Sequence, residues 1–118
     1  MSRIAFYGSL WTEDFAGVAD LLSSWLNTED LNVKTRIFGE EITYEDLGIY
    51  LYCHSAEAEE GGESSFLLEG HMARSLDEVR TRLYALADLC ENRGIEGDFE
   101  YVEINEQGEQ IGEEFQLD

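Results

Sequence analysis

The chain has 118 residues, enough for one domain with a buried core and too few for two. Its 27 Asp and Glu against 7 Lys and Arg give a formal net charge of −20 and a pI near 4.1, which disfavours nucleic acid and anionic membranes as ligands and favours basic partners. At 43% hydrophobic residues, with two Trp, six Tyr and six Phe, the composition excludes an acidic disordered tail, because such tails lack the aromatics to build a core.

The charge is localised. From Gly39 to Glu69 there are nine acids and no Lys or Arg, and from Glu96 to Asp118 again nine acids and none. Between His71 and Arg93 the charges cancel, with Arg74, Arg80, Arg82 and Arg93 set against Asp77, Glu78, Asp88 and Glu91. The start, MSRIAFYGSL, has neither the basic head nor the apolar run of a signal peptide, and no apolar run approaches the ~18 residues of a membrane span. A soluble, cytoplasmic protein is expected. Cys53 and Cys90 make no metal spacing and no disulfide framework, so both are expected as reduced, buried thiols.

In chain order, the alternation Ile4-Ala5-Phe6-Tyr7 predicts a first strand. Thr12 is the expected N-cap, with Glu13 and Asp14 favourably placed against the helix dipole, and the helix runs through Phe15, Val18, Leu22, Trp25 and Leu26 to end near Asn27. Two strands follow, at about Leu31 to Phe38 and about Leu47 to His54, then a small and acidic loop from Ser55 to Ser65. A strand from Phe66 to Ala73 leads to Ser75-Leu76-Asp77-Glu78, a capping box, and the second helix presents Val79, Leu83, Leu86, Ala87 and Cys90 on one face before stopping at Gly94. Asp98 to Ile104, a turn at Asn105 to Gly108, and Gln110 to Leu117 read as a closing hairpin.

The expected fold is a two-layer α+β sandwich within a single domain, residues 1–118. It comprises a mostly antiparallel sheet of five or six strands with two helices on one face, either ferredoxin-like or a duplicated strand-helix-strand-strand unit. The duplication rests on a shift of 61 residues, which lays Phe15, Val18, Leu22 and Trp25 on Leu76, Val79, Leu83 and Leu86. Helical periodicity alone produces such matches. The strand period of two sends Tyr7, Tyr50, Tyr52, His54, Leu67, Glu69 and His71 to the uncovered sheet face, which is therefore aromatic and acidic. Tyrosine platforms that stack bases need cations for the phosphates, and this face has carboxylates instead.

Tyr7-Gly8-Ser9-Leu10 resembles the YGSL-type start of the gamma-glutamylcyclotransferase fold, which implies a substrate loop after a strand; here Trp11 and Thr12 lead straight into a helix. In outline the chain is also similar to the acidic ribonuclease E regulators of the B type, which implies a regulatory domain, although that family's Tyr-Asp-Gly-Trp stretch has no counterpart at Gly97-Asp98-Phe99-Glu100. A hairpin centred near Glu60 would hold His54 and His71 ~16 Å apart along the strands, too far for one ion, so no metal is expected. Glu57, Glu59, Glu60 and Glu63 lack the EF-hand pattern, and Lys34, the sole lysine, stands in no phosphate loop. No cofactor and no enzymatic activity are expected.

Three functional readings follow. The first is a non-enzymatic acidic interaction protein, an inhibitor, immunity-type protein or nucleic-acid mimic. It would bind a basic partner such as a nuclease or nucleic-acid-binding protein, through Glu57, Glu59, Glu60, Glu63, Asp98, Glu100, Glu103, Glu113 and Glu114 with Tyr50 and Tyr52. The second is an acidic ferredoxin-like regulator of an RNA-processing or metabolic enzyme, and the third a small domain adapted to salt or for solubility. In each the protein is a monomer or a weak homodimer through the open sheet face.

Overall fold

The computed structural model describes residues 3–37, 39–46, 48–56 and 65–117. Its elements are β1 (Arg3–Trp11), α1 (Phe15–Leu26), β2 (Asn32–Arg36), β3 (Gly39–Asp46), β4 (Ile49–Ala56), β5 (Ser65–Met72), α2 (Leu76–Asn92), β6 (Glu96–Ile104) and β7 (Phe115–Gln116). The seven strands form one sheet in the order β2-β3-β4-β5-β1-β6-β7, and every neighbouring pair is antiparallel.

This is the expected α+β architecture with a larger sheet. The additional strand is β3, whose Ile42 and Tyr44 point to the core side while Glu41, Thr43 and Glu45 alternate to the other. The sheet also corrects the ferredoxin-like expectation. β5 and β6 both run antiparallel to the β1 between them, as in a split strand-helix-strand unit, but β2 to β5 make a four-strand meander where a ferredoxin-like domain has a two-strand hairpin. Strand-helix-strand does occur twice, as β1-α1-β2 and β5-α2-β6, and the likeness ends there, because eight-residue β3 follows one and two-residue β7 the other.

Both helices lie on one face. Val18, Leu21, Leu22 and Trp25 of α1 and Val79, Leu83, Leu86 and Cys90 of α2 share a core with Ile4, Phe6, Leu10, Ile42, Leu51, Cys53, Phe66, Leu68, Met72, Phe99 and Tyr101 from the sheet. Of the apolar helix faces predicted from the sequence, Phe15, Leu26 and Ala87 are only part-buried, and Phe15 stacks on Phe66 with ring centroids 5.8 Å apart. Phe6 meets Trp25 edge to face at 5.9 Å, and the Trp25 indole Nε1 donates to the Arg82 carbonyl at 2.7 Å, which ties α1 to α2. Arg93 adds an ion pair to Asp20 across the same seam.

The caps follow local chemistry with one correction. Asp14, not Thr12, is the N-cap of α1: its carboxylate accepts from the Gly17 amide at 3.0 Å, while the Thr12 hydroxyl accepts from the Asp14 amide at 3.2 Å. Ser75 is the N-cap of α2, its hydroxyl accepting from the Glu78 amide at 3.2 Å and donating to the Glu78 carboxylate at 3.3 Å, where a full capping box would have that carboxylate on the Ser75 amide; Asn27 closes α1 in the left-handed region at φ 52°. Burial pushes the Cys53 thiol up to about 12 and the Cys90 thiol up to about 11. Native protein is therefore expected to resist a maleimide reagent at pH 7.5 and to react at both thiols only after unfolding in urea; stoichiometric labelling of the native state would refute the packing of Cys53.

Candidate functional site

The helix-free face of the sheet carries the candidate site, and strand register fixes its layout. One row runs Glu100 on β6, Tyr7 on β1, Glu69 on β5, Tyr52 on β4 and Thr43 on β3; the next runs Asp98, Ser9, Leu67, His54 and Glu41. The seven residues assigned to this face by alternation all sit on it. At one end the face is closed, with Ala5, Val102 and Ile104 forming a small second cluster.

A concavity of about 430 Å³ opens over β5, β1 and β6. Its floor is Ser9, a small side chain between Tyr7 and Trp11 on the same strand. Leu67 and Glu69 flank it from β5, and Asp98 and Glu100 from β6. Tyr7 is 42% exposed and Leu67 40%, so large apolar surface lies beside carboxylates. Among the described residues neither Glu69 nor Asp98 has an ion-pair partner.

Beyond the concavity the sequence-predicted tyrosines form a second patch. Tyr50 stacks on His71 at 5.3 Å and Tyr52 leans on His54 at 5.1 Å, while the Tyr52 hydroxyl donates to Glu41 at 3.1 Å. Burial, reinforced by the Arg3 charge and opposed by Glu45, lowers the His71 pKa, which keeps the imidazole neutral against Tyr50. His71 on β5 pairs with Tyr50, four residue steps along β4 from His54, so the two histidines are ~13 Å rather than ~16 Å apart along the strands. Among the described residues no group of three or more His, Cys, Asp or Glu comes together as metal ligands.

The acids expected to bind a partner are divided by the fold. Asp98 and Glu100 share the open face with Glu96, which precedes them in the strand alternation. Glu103 does not join them: it pairs with core-facing Ile4 and has the parity of Phe99 and Tyr101, so it points to the helix side. Glu113 and Glu114 are exposed in the segment returning to β7, and Glu57, Glu59, Glu60 and Glu63 lie outside the described residues. Tyr7 to Leu10 lie within β1 rather than in a substrate loop, which removes the structural basis of the YGSL likeness. The closing hairpin is real but its strand is short: Glu100 pairs with Gln116 and Tyr101 with Phe115, and an isolated bridge joins Ile104 to Gln110 beside a turn in which the Asn105 side chain accepts from the Gln107 and Glu109 amides, both at 2.9 Å.

The return to β7 brings Glu114 onto Glu100. A hydrogen bond from the protonated Glu100 carboxyl to Glu114, then burial, then the Glu114 charge raise the Glu100 pKa above its ordinary 4.5. The folded state thus holds this proton more tightly than the unfolded chain does. The stabilisation is complete below pH 4.5 and is lost as pH rises through the elevated folded value. Glu100→Gln, whose amide donates to Glu114 at any pH, should raise the melting temperature at pH 7 by a few degrees at most, an advantage that disappears below pH 4.5. A difference in melting temperature that stays constant from pH 4 to 8 would show the two carboxyls to be independent.

Compared with known proteins, the chain matches no family model and no curated protein. Among the described residues no helix is long and apolar enough to cross a membrane.

Proposed function

We propose that the protein is a non-enzymatic acidic interaction protein that captures a basic protein on its open sheet face, acting as an inhibitor, immunity-type protein or nucleic-acid mimic. The observation that carries this reading is the concavity over β5, β1 and β6, where Glu69, Asp98 and Glu100 stand among exposed aromatic and apolar side chains. Tyr and Trp supply rigid contact area, and the carboxylates supply steering and a penalty against acidic partners. Glu96, Asp98 and Glu100 follow at i, i+2 and i+4 of one strand, ~6.6 Å apart, close to the spacing of neighbouring phosphates. A nuclease or nucleic-acid-binding protein is the partner such a row fits. Two acidic faces repel each other, which favours a monomer over a homodimer through this face, and two free, buried thiols suit a reducing cytoplasm.

The solubility reading has less support, because residues 71–93, which are α2 and its flanks, balance their charges and form ion pairs, Arg80 with Asp77 at 2.9 Å and Arg74 with Glu78 at 4.0 Å. A shell of adaptive charge would extend over that helix too. Affinity capture from host lysate with the full chain, followed by identification of what is bound, is the direct test. A basic protein is expected, with Kd weakening by at least about tenfold between 0.05 and 0.3 M salt, as the field over the face is screened. Binding that is indifferent to salt, or capture of an acidic protein, would overturn the proposal.

A further inference from the structure

Resting on that reading, we infer that the concavity is a receptor for a single arginine side chain of the basic partner, and that it prefers guanidinium to ammonium. The floor explains the shape. On the open face β1 reads Ala5, Tyr7, Ser9, Trp11, so the small Ser9 leaves a gap bounded along the strand by two aromatic rings, each ~6.6 Å away at the backbone. Across the strands, Ser9 pairs with Leu67 on one side and Asp98 on the other, and Tyr7 pairs with Glu69 and Glu100. A side chain entering over Ser9 therefore meets aromatic or apolar surface on three sides, from Tyr7, Trp11 and Leu67, and the carboxylate of Asp98 on the fourth, with Glu69 and Glu100 to either side of Tyr7.

That combination favours arginine. A guanidinium is planar and weakly hydrated, stacks on Tyr or Trp faces, and forks two N–H donors onto one carboxylate; an ammonium is a compact, strongly hydrated point charge that does neither as well. The free carboxylates of Glu69 and Asp98 supply acceptors, and Leu67 supplies a surface for the methylene stem. The volume, about 430 Å³, is at the small-ligand end of the range for binding pockets. The Tyr50–His71 and Tyr52–His54 pairs differ in this respect, because their rings already contact each other, the first stacked and the second tilted.

The test titrates the full chain with hexa-arginine and hexa-lysine by calorimetry. Hexa-arginine should bind about tenfold more tightly than hexa-lysine. Ser9→Leu fills the floor without changing charge and should bring the two affinities together, by weakening hexa-arginine about tenfold and hexa-lysine less than about twofold. Trp11→Leu should do the same, and a melt of each variant identifies one that fails to fold. Equal affinities in the wild-type protein, unmoved by either substitution, would overturn the arginine receptor while leaving capture by charge in place. Failure of both peptides to bind would overturn the basic-partner reading itself.

Discussion

Gly70→Ala is expected to cost at least about 3 kcal/mol of stability, the upper end of what overpacking of a core usually costs. The added methyl would lie 2.1 Å from the Tyr50 carbonyl oxygen and 2.6 Å from Cζ of Phe6. Phe6 has no room to retreat, since it is fully buried and held edge to face against Trp25. The backbone contact is the graver one, because Tyr50 belongs to β4, and relieving it means parting β4 from β5 in the middle of the sheet. Urea unfolding checks the size, and the double variant Phe6→Leu, Gly70→Ala checks the cause: the ring contact is relieved and the carbonyl contact is not, so the pair should remain less stable than Phe6→Leu alone. A loss under 1 kcal/mol for Gly70→Ala would mean that β4 and β5 do not approach as described. For a domain whose whole stability is of the order of 5–15 kcal/mol, a loss of this size leaves little reserve.

Much of this core was legible in the sequence, and the exceptions have physical reasons. Both helices follow from apolar spacing and capping residues, which are local signals; the choice of Asp14 over Thr12 as cap depends on backbone angles that residue type does not encode. The segment Gly39–Asp46 hides its strand because Glu40, Glu41, Glu45 and Asp46 are poor strand formers, although Ile42 and Tyr44 keep the period of two. Strand order lies in pairings between distant residues, above all the insertion of β1 between β5 and β6. The open face was legible by alternation from Tyr50 to His54, but the concavity was not, because Gly8-Ser9 reads as the end of a strand that in fact runs on to Trp11. Its signal was present: a small residue between two aromatics at i−2 and i+2, once the strand is extended. The approach of Glu114 to Glu100 depends on the path of the chain after Gly108 and has no local signature.

Placement of charge, rather than its total, is what separates capture by the face from mere acidity. Reversal of Glu69, Asp98 and Glu100 to Lys should weaken binding of hexa-arginine and of the captured partner by on the order of a hundredfold or more, since like charges would then meet across the contact. Reversal of Glu29, Asp88 and Glu91, exposed acids on the α1–β2 connection and on α2, changes net charge by the same amount and should shift affinity only a few-fold, through the weaker long-range field. Glu103→Lys is the sharper single-site control. It is on the strand that carries Asp98 and Glu100, yet points to the helix side, so it should bind nearly as the wild-type chain does. Stability does not confound the comparison at Glu100, because a lysine there replaces repulsion from Glu114 with attraction and should leave the melting temperature unchanged or higher at pH 7. If both triple reversals weaken binding equally, the partner responds to total charge alone, and neither the face nor the row along β6 is a binding surface.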